Sequence, residues 1–470
     1  MSELERVRTD KMPGSPARAL VVGGGISGLA CAYRLKQLGV DVTLLEAQQS
    51  AGGLIGSVRK DGFLFDHGPQ SFQGTDLLLD LIHELGIEDE LQIANPKAPR
   101  YVLRGGRLQH IPMSPQGVLT SSLLTVRSRW KVVSEPFRRT RPPTEDESVA
   151  DFVRRKFGHE ILEYLVSPFV SGIYAGDPEK LSLRAAFPSL EEWERQFGSV
   201  LRGAMKSRPL KEKQSGPPPL CSFRGGLGTL MQALARSLGS RVRLGSRVHS
   251  IRPTRATGTD GYEIEVNENG QTETFRTRAI VLATPAYTAA QILQPVSTPL
   301  AHALSGIAYA PVAVVATGYF SKQFSRPLDG FGFLVPRREK FRTLGTVWNS
   351  SLFPGRAPEG SGTITSFLGG AMDADAVAKP ETEIAEIAHD ENARIMGISG
   401  PPQVTAVWKY GKALPQYNLG HGHIIERIRD CLEANPGLFL AGNYLQGPAI
   451  GKCVERGFRT AESAHVHVTA

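Results

Sequence analysis

Three glycines and one acid carry the first readable chemistry of this chain. Gly23, Gly25 and Gly28, within Leu20–Gly28, keep the G-x-G-x-x-G spacing, and Glu46 ends the apolar run Val40–Leu45. The first glycine permits a tight turn, the second lets backbone approach a pyrophosphate, and the third lets a helix press on a strand. Gly24, Ile26 and Ser27 lie in the same turn, where the N–H groups that open a helix lack partners and suit phosphate oxygens. Glu46, with Ala47 after it, stands where a carboxylate accepts from a ribose hydroxyl. Strand, turn, helix, second strand and acid fall in register, so the residues predict a bound dinucleotide.

The residues after Glu46 narrow the ligand. A second glycine pair, Gly52-Gly53, precedes Leu54; then come Gly62-Phe63 and Asp66-His67-Gly68-Pro69-Gln70-Ser71. This E-A-x4-G-G … G-F-x2-D-x-G-P arrangement resembles the flavin amine oxidase and phytoene desaturase superfamily. The resemblance implies FAD in an extended form, with Gly53, Leu54, Gly68, Pro69, Gln70 and Ser71 among its contacts. Members usually carry Arg or Lys where this chain has Ser50, so the cation bracing the adenosine end is missing or comes from elsewhere.

With 470 residues, 41% hydrophobic and 21% charged, the chain has room for two or three domains and a large core. Cys31, Cys221, Cys431 and Cys453 are scattered without C-x-x-C or metal spacing, which predicts free thiols in a reducing compartment. His421/His423 and His465/His467 suggest no third ligand, so no metal is expected. No run reaches the roughly 18–20 apolar residues of a membrane span. Residues 1–17 are polar and read as a disordered tail, not a secretory signal. The net charge is +8, with Arg127, Arg129, Lys131, Arg138, Arg139 and Arg141 around Trp130 and Phe137. That cluster suits an anionic lipid surface as well as nucleic acid, or a solvated basic loop. Within a flavin fold the lipid reading is preferred and no nucleic acid is expected.

The elements that position these motifs are discontinuous. Arg241–Leu244, Ser246–Ile251 and the alternating Tyr262–Val266 read as strands, with a turn at Thr257–Gly261. Ala279–Thr284 reads as a buried strand stopped by Pro285, and Leu438–Asn443 as another, leading into Gly447–Gly451 and a closing helix. The expected fold is α/β plus α+β: a Rossmann-like FAD domain from 18–90, 221–290 and 430–468, a helical membrane-associating insertion at 112–210, and a β-rich substrate domain from 91–111 and 291–429. Val149, Phe152, Val153 and Phe157, then Ile161, Leu162, Leu165 and Phe169, have helical spacing and read as core. Gln214–Pro219 reads as a linker. Val312–Thr317, Gly330–Pro336, Thr363–Leu368 and Val404–Lys409 are expected to form a sheet over the flavin.

Four further motifs sharpen the resemblance: Ser171–Asp177 (SGIYAGD), Gly306–Pro311 (GIAYAP), Gly330–Pro336 (GFGFLVP) and Leu414–His421 (LPQYNLGH). Together they are similar to the oxygen-dependent protoporphyrinogen oxidase family, from about residue 18 to 465. The resemblance implies oxidation of protoporphyrinogen IX to protoporphyrin IX in haem biosynthesis. Six electrons leave by hydride transfer to FAD, and three O2 become three H2O2. Such hydride transfer needs orientation and an apolar slot more than a nucleophile.

By family register, Arg100 pairs with a substrate carboxylate, for which a planar guanidinium is suited. Phe331 and Leu334 sandwich a pyrrole ring and Gly332 keeps that wall open, while one of Phe331 and Phe333 faces core. Gly172 and Phe367 are further pocket candidates. Val248 meets the adenine, and Asn443, Pro448, Ala449 and Ile450 contact the flavin. Lys452 stands where relatives have Asp, either near the flavin or in solvent. The expected location is the cytoplasm, peripheral on the inner face of the cell membrane; a homodimer stays open. The alternatives are coproporphyrinogen III oxidation to coproporphyrin III, an amine oxidase or carotenoid desaturase on the same scaffold, and a non-catalytic FAD-containing binding protein.

Overall fold

The protein is described by a computed structural model covering residues 18–112, 115–207, 218–254, 261–268 and 270–470. The expected tail, residues 214–217 of the linker and most of the 257–261 turn lie outside these residues.

Near-continuous apolar runs form a five-stranded parallel sheet in the order Val242–Arg243, Asp41–Leu45, Arg18–Val22, Ala279–Leu282, Leu438–Leu440. Such strands are buried on both faces. Leu20 and Val22 pack to one side and Ala19 and Val21 to the other. Strand pieces from three distant parts of the sequence thus share one sheet. The edge strand is shorter than the Arg241–Leu244 expected, because Gly239–Arg241 coils into a 3-10 turn. The helix Ile26–Gln37 packs against the 20-residue closing helix Ile450–Thr469, where a Cβ on Gly457 would lie 2.6 Å from the Ser27 carbonyl oxygen. A three-stranded antiparallel sheet, Ser246–Thr254, Gly261–Glu268 and Gln271–Thr277, extends this half, with Tyr262, Ile264 and Val266 turned into its core.

A seven-stranded sheet forms the second half, in the order Val404–Pro415, Tyr309–Phe320, Ser361–Gly369, Thr343–Val347, Gly332–Leu334, Arg100–Arg104, Arg107–His110. The chain enters it only at Arg100, since Leu91–Ile93 pairs instead with Leu220–Phe223. Likewise the helices Thr298–Ser305 and His421–Glu433 bury Leu300, Leu304 and Ile428 in the core beneath the parallel sheet. Between Arg107–His110 and Leu220–Phe223 the described chain is mostly helical. A buried ion cluster ties these helices together: Lys156 Nζ lies 2.8 Å from Glu135 and 3.3 Å from Glu194, which Arg155 also engages at 2.7 Å.

Candidate active site

The glycine turn has the geometry its spacing predicts. Gly23 holds φ at +104°, a region costly for any other residue. A Cβ on Gly28 would sit 1.9 Å from the Gly23 carbonyl oxygen, so this glycine seats the helix on the strand. Among the described residues a Cβ on Gly25 would meet nothing within 4 Å, leaving open space at the uncapped N-terminus of Ile26–Gln37. Glu46 is aimed by backbone: Gly24 N–H donates to Oε2 at 2.6 Å and Gln48 N–H to Oε1 at 2.7 Å. Each carboxylate oxygen keeps a lone pair for a ligand hydroxyl. Gly52 N–H donates to the Gly24 carbonyl, which brings Gly53 beside Gly25. Ser246 N–H donates to the Glu46 carbonyl and so anchors the strand bearing the buried Val248, where the ladder to Val266 bulges.

This cradle fits a dinucleotide cofactor. The open space at Gly25 and the oriented carboxylate suit pyrophosphate and ribose contacts, and Thr284, beside Gly23, has its Oγ1 buried with no hydrogen-bond partner among the described residues. At the opposite edge Pro448, Ala449 and Ile450 form a second uncapped helix N-terminus, and the Asn443 carbonyl accepts from the Tyr417 hydroxyl. Lys452 faces solvent and pairs with Glu455 at 2.8 Å, so it brings no free charge to the cradle. Ser50 is exposed on the same loop as Glu46. His421 is buried between Tyr417 and the Tyr444 carbonyl; burial lowers it to about 4, the Tyr444 contact opposing. Among the described residues no group of three His, Cys, Asp or Glu side chains could hold a metal ion.

Register in the seven-stranded sheet sorts the remaining candidates. Trp408, Val314, Phe367, Gly345, Leu334 and Val102 form one cross-strand row. Two residues along, Ala406, Ala316, Thr365, Val347, Gly332 and Arg100 form the next row on the same face. Arg100, Leu334 and Phe367 therefore share a face, with glycines at 332 and 345 lowering its middle. Strict alternation would put Phe331 and Phe333 together, but Gly332 at φ +127° breaks the pleat. Phe333 stays on the far face against Trp348, while Phe331 turns to Val347 and lies 5.3 Å from the Arg100 guanidinium. The reason for glycine at 332 is thus backbone crowding: a Cβ there would come 2.0 Å from the Thr346 carbonyl oxygen.

This face is fastened to the cradle. Asn349 Nδ2 donates to Gln70 Oε1 at 2.6 Å, and Asn349 Oδ1 accepts from Thr365 at 2.8 Å. Gln70 Nε2 donates to the Asp66 and Gly68 carbonyls. Asp66 in turn accepts from buried Arg356 at 2.7 Å and from Leu227 N–H at 2.9 Å. Pro69 and Ser71 complete the loop so held. A Cβ on Gly68 would strike the Leu54 carbonyl oxygen, so the two glycine loops touch.

Opposite Leu334 stands the helix Ser167–Tyr174, which approaches so closely that a Cβ on Gly172 would meet Leu334 Cδ2 at 2.9 Å. Phe169, expected in the core, is 45% exposed, as is Ile173 at 42%, whereas Val170 is fully buried. The cause is a π-helical turn at Leu162–Val166. One added residue rotates the rest of the helix by about 100°, exchanging Val170 for Phe169 in the core. Phe169, Gly172 and Ile173 consequently share an open apolar face beside Leu334. Sequence periodicity missed this, since a π turn carries no signature in apolar spacing.

Comparison with known proteins agrees with this geometry. The model of the family described as flavin containing amine oxidoreductase matches residues 26–465. The chloroplastic protoporphyrinogen oxidase of Nicotiana tabacum is 35% identical, over 97% of this chain and 87% of its own. The coproporphyrinogen III oxidase of Bacillus subtilis (strain 168) is 29% identical, over 93% and 96%. A solved structure from Exiguobacterium sp. 255-15, provisionally named a protoporphyrinogen oxidase, superposes with TM-score 0.81 at 26% identity, covering 96% of this chain and 99% of that one. The chain belongs to the flavin-containing amine oxidoreductase family and is an FAD-dependent oxidase.

Proposed function

We propose that the protein oxidises protoporphyrinogen IX to protoporphyrin IX, with O2 as acceptor and H2O2 as by-product. The observation that carries this reading is the single sheet face on which Arg100, Phe331, Leu334 and Phe367 stand together, roofed by the Gly172 helix and fastened to the flavin loop. An apolar slot with a cation at its end suits a flat, greasy macrocycle with carboxylate arms. FAD, when bound, supplies the hydride acceptor and its reoxidation by O2. Arg100 grips a propionate, Phe331 and Leu334 hold a pyrrole ring, and Phe367 floors the slot. Gly23, Gly25, Gly28 and Glu46 hold the adenosine and pyrophosphate; Gln70, Asn443 and the Pro448–Ile450 turn hold the flavin end.

Anaerobic addition of protoporphyrinogen IX to the yellow protein should bleach the flavin band, and air should restore it. Unchanged colour with protoporphyrinogen and coproporphyrinogen alike would remove the reading. The 29% identity to a coproporphyrinogen III oxidase supports a second substrate, and side-by-side turnover of the two ranks them.

The helical insertion is proposed to rest on an anionic membrane. Val126, Trp130 and Phe137 are 65%, 66% and 80% exposed among Arg127, Lys131, Arg139 and Arg141, a pairing of apolar wedges with cations that suits a lipid headgroup layer. Among the described residues no helix is long and apolar enough to cross a membrane. Salt-sensitive flotation with phosphatidylglycerol vesicles is expected; absence of flotation at low salt would reject the contact.

A further inference from the structure

Two local costs meet at the end of the roof helix. Ala175, directly after Ser167–Tyr174, holds φ +48° and ψ +31°, a left-handed conformation that helix ends usually leave to glycine. Beside it is the buried Gln416, whose Oε1 has no hydrogen-bond partner among the described residues. The amide is not free to turn round, because Nε2 donates to the Tyr174 carbonyl at 2.8 Å and to the Leu414 carbonyl at 3.0 Å. Methionine, of similar length, would fill this place without an unpaired acceptor. Costs that persist together at one place point to a geometry held for function.

What Gln416 holds is the roof. The Tyr174 carbonyl is one of the last four of its helix, which find no partner within it, and that helix brings Gly172 against Leu334. Ala371 N–H donates to the Ala175 carbonyl at 2.7 Å, and Gln416 N–H donates to the Ala308 carbonyl at 2.8 Å, so the helix end is anchored to the sheet. The next residue holds the flavin side. The Tyr417 hydroxyl donates to the Asn443 carbonyl, and His421 Nε2 to the following carbonyl, of Tyr444, at 3.1 Å. Burial keeps the Tyr417 phenol protonated, well above its ordinary range, so it is a permanent donor. Asn443 comes just after the strand Leu438–Leu440, outside the carboxyl ends of the parallel sheet, where such folds seat a nucleotide.

We propose that Gln416 and Tyr417 are positioning residues that set the slot roof in register with the flavin loop. The inference rests on the porphyrinogen reading of the slot. Gln416 acts through the Gly172 helix, and Tyr417 acts through Asn443. Hydride transfer needs its two reacting atoms closely aligned, and a misplacement of about 1 Å costs about 100-fold. Two adjacent residues thus tie together the two halves of that geometry.

Gln416→Met and Tyr417→Phe each remove the donor and keep the shape. With saturating porphyrinogen and no oxygen, the flavin band should bleach about 10- to 100-fold more slowly in each than in the wild type. Register is lost once either tie is cut, so the double variant should be no more than about threefold slower than the slower single one. Bleaching by dithionite, which needs no roof, should keep its wild-type rate in all three. Two readouts need no turnover. Amide exchange across Ser171–Ala175 should quicken about tenfold in Gln416→Met but not in Tyr417→Phe. FAD release should quicken about tenfold in Tyr417→Phe but not in Gln416→Met. Single variants within about threefold of wild type, losses that multiply in the double variant, equal slowing with dithionite, or unchanged amide exchange and FAD release would overturn the proposal. Wild-type protein inert toward every porphyrinogen would instead overturn the substrate reading, and the exchange and release results would still decide whether the two ties act on roof and flavin.

Discussion

Phe331, just ahead of the strand Gly332–Leu334, turns toward Arg100 because the glycine that follows it holds a positive φ. The guanidinium lies over the Phe331 ring, an arrangement that orients a flexible side chain. Removing the proposed carboxylate grip in Arg100→Ala should raise KM roughly 10- to 100-fold, the equivalent of about 1.5–3 kcal/mol for a charge-assisted pair. Flavin content should stay constant. Unaltered steady-state kinetics would refute the role. Much at this scale was readable in the chain: three glycines with three distinct duties, and an acid after the second strand. Two things were not. Nothing in the letters F-G-F announces that the central glycine adopts a positive φ and splits its neighbours between faces, and the i,i+3 spacing of Lys452 and Glu455 permits their pairing without saying whether that acid or the flavin takes the charge.

At the scale of elements, the π turn at Leu162–Val166 decides what the next helix shows to the slot. Deleting Leu165 removes the residue that the π turn accommodates, so an α turn should form with Val170 still buried and Phe169 still open, leaving KM for the porphyrinogen near that of the wild type and helix content by circular dichroism kept. Phe169→Ala tests the same surface without touching the turn: an exposed ring contributes little to stability, so binding should weaken with the melting temperature unchanged. A fall in melting temperature with normal KM would show the ring to be structural. Strands were legible where alternation or apolar runs were clean, as at Tyr262–Val266 and Ala279–Leu282. The helical phase after Val166 was not, because periodicity counts residues and a π turn silently adds one.

At the scale of the whole molecule, Asp66 and Arg356 join regions 290 residues apart, both nearly inaccessible to water. Arg356→Ala leaves a buried carboxylate uncompensated and should cost about 3–5 kcal/mol, read as a lowered urea midpoint together with flavin loss. The helical insertion should fail separately in acid. Burial alone would raise Glu160, but the Ser128 and Thr125 hydroxyls, the Thr125 N–H and Arg104 outweigh it and hold the group near 2. Glu135 and Glu194 are likewise depressed, burial being outweighed by Lys156, Ser199 and the N–H groups of Val200 and Leu201 for the first, and by Arg155, Thr140 and Lys156 for the second. Folded-state values below the ordinary 4.5 mean that this stabilisation is complete above about 4.5 and lost as pH falls toward 2. Ellipticity loss in that window, diminished in Glu135→Gln, is the expected result; a flat signal would contradict it.

The parallel sheet has a consequence for how the molecule comes into being. Its first strand, Arg18–Val22, leaves the ribosome long before Leu438–Leu440 and the Ile450–Thr469 helix that packs on Ile26–Gln37. Every strand of the seven-stranded sheet is therefore synthesised before the parallel sheet can be completed, and flavin uptake is expected to be the last act of maturation. Truncations that spare every residue of the slot yet trim the closing helix should yield colourless protein.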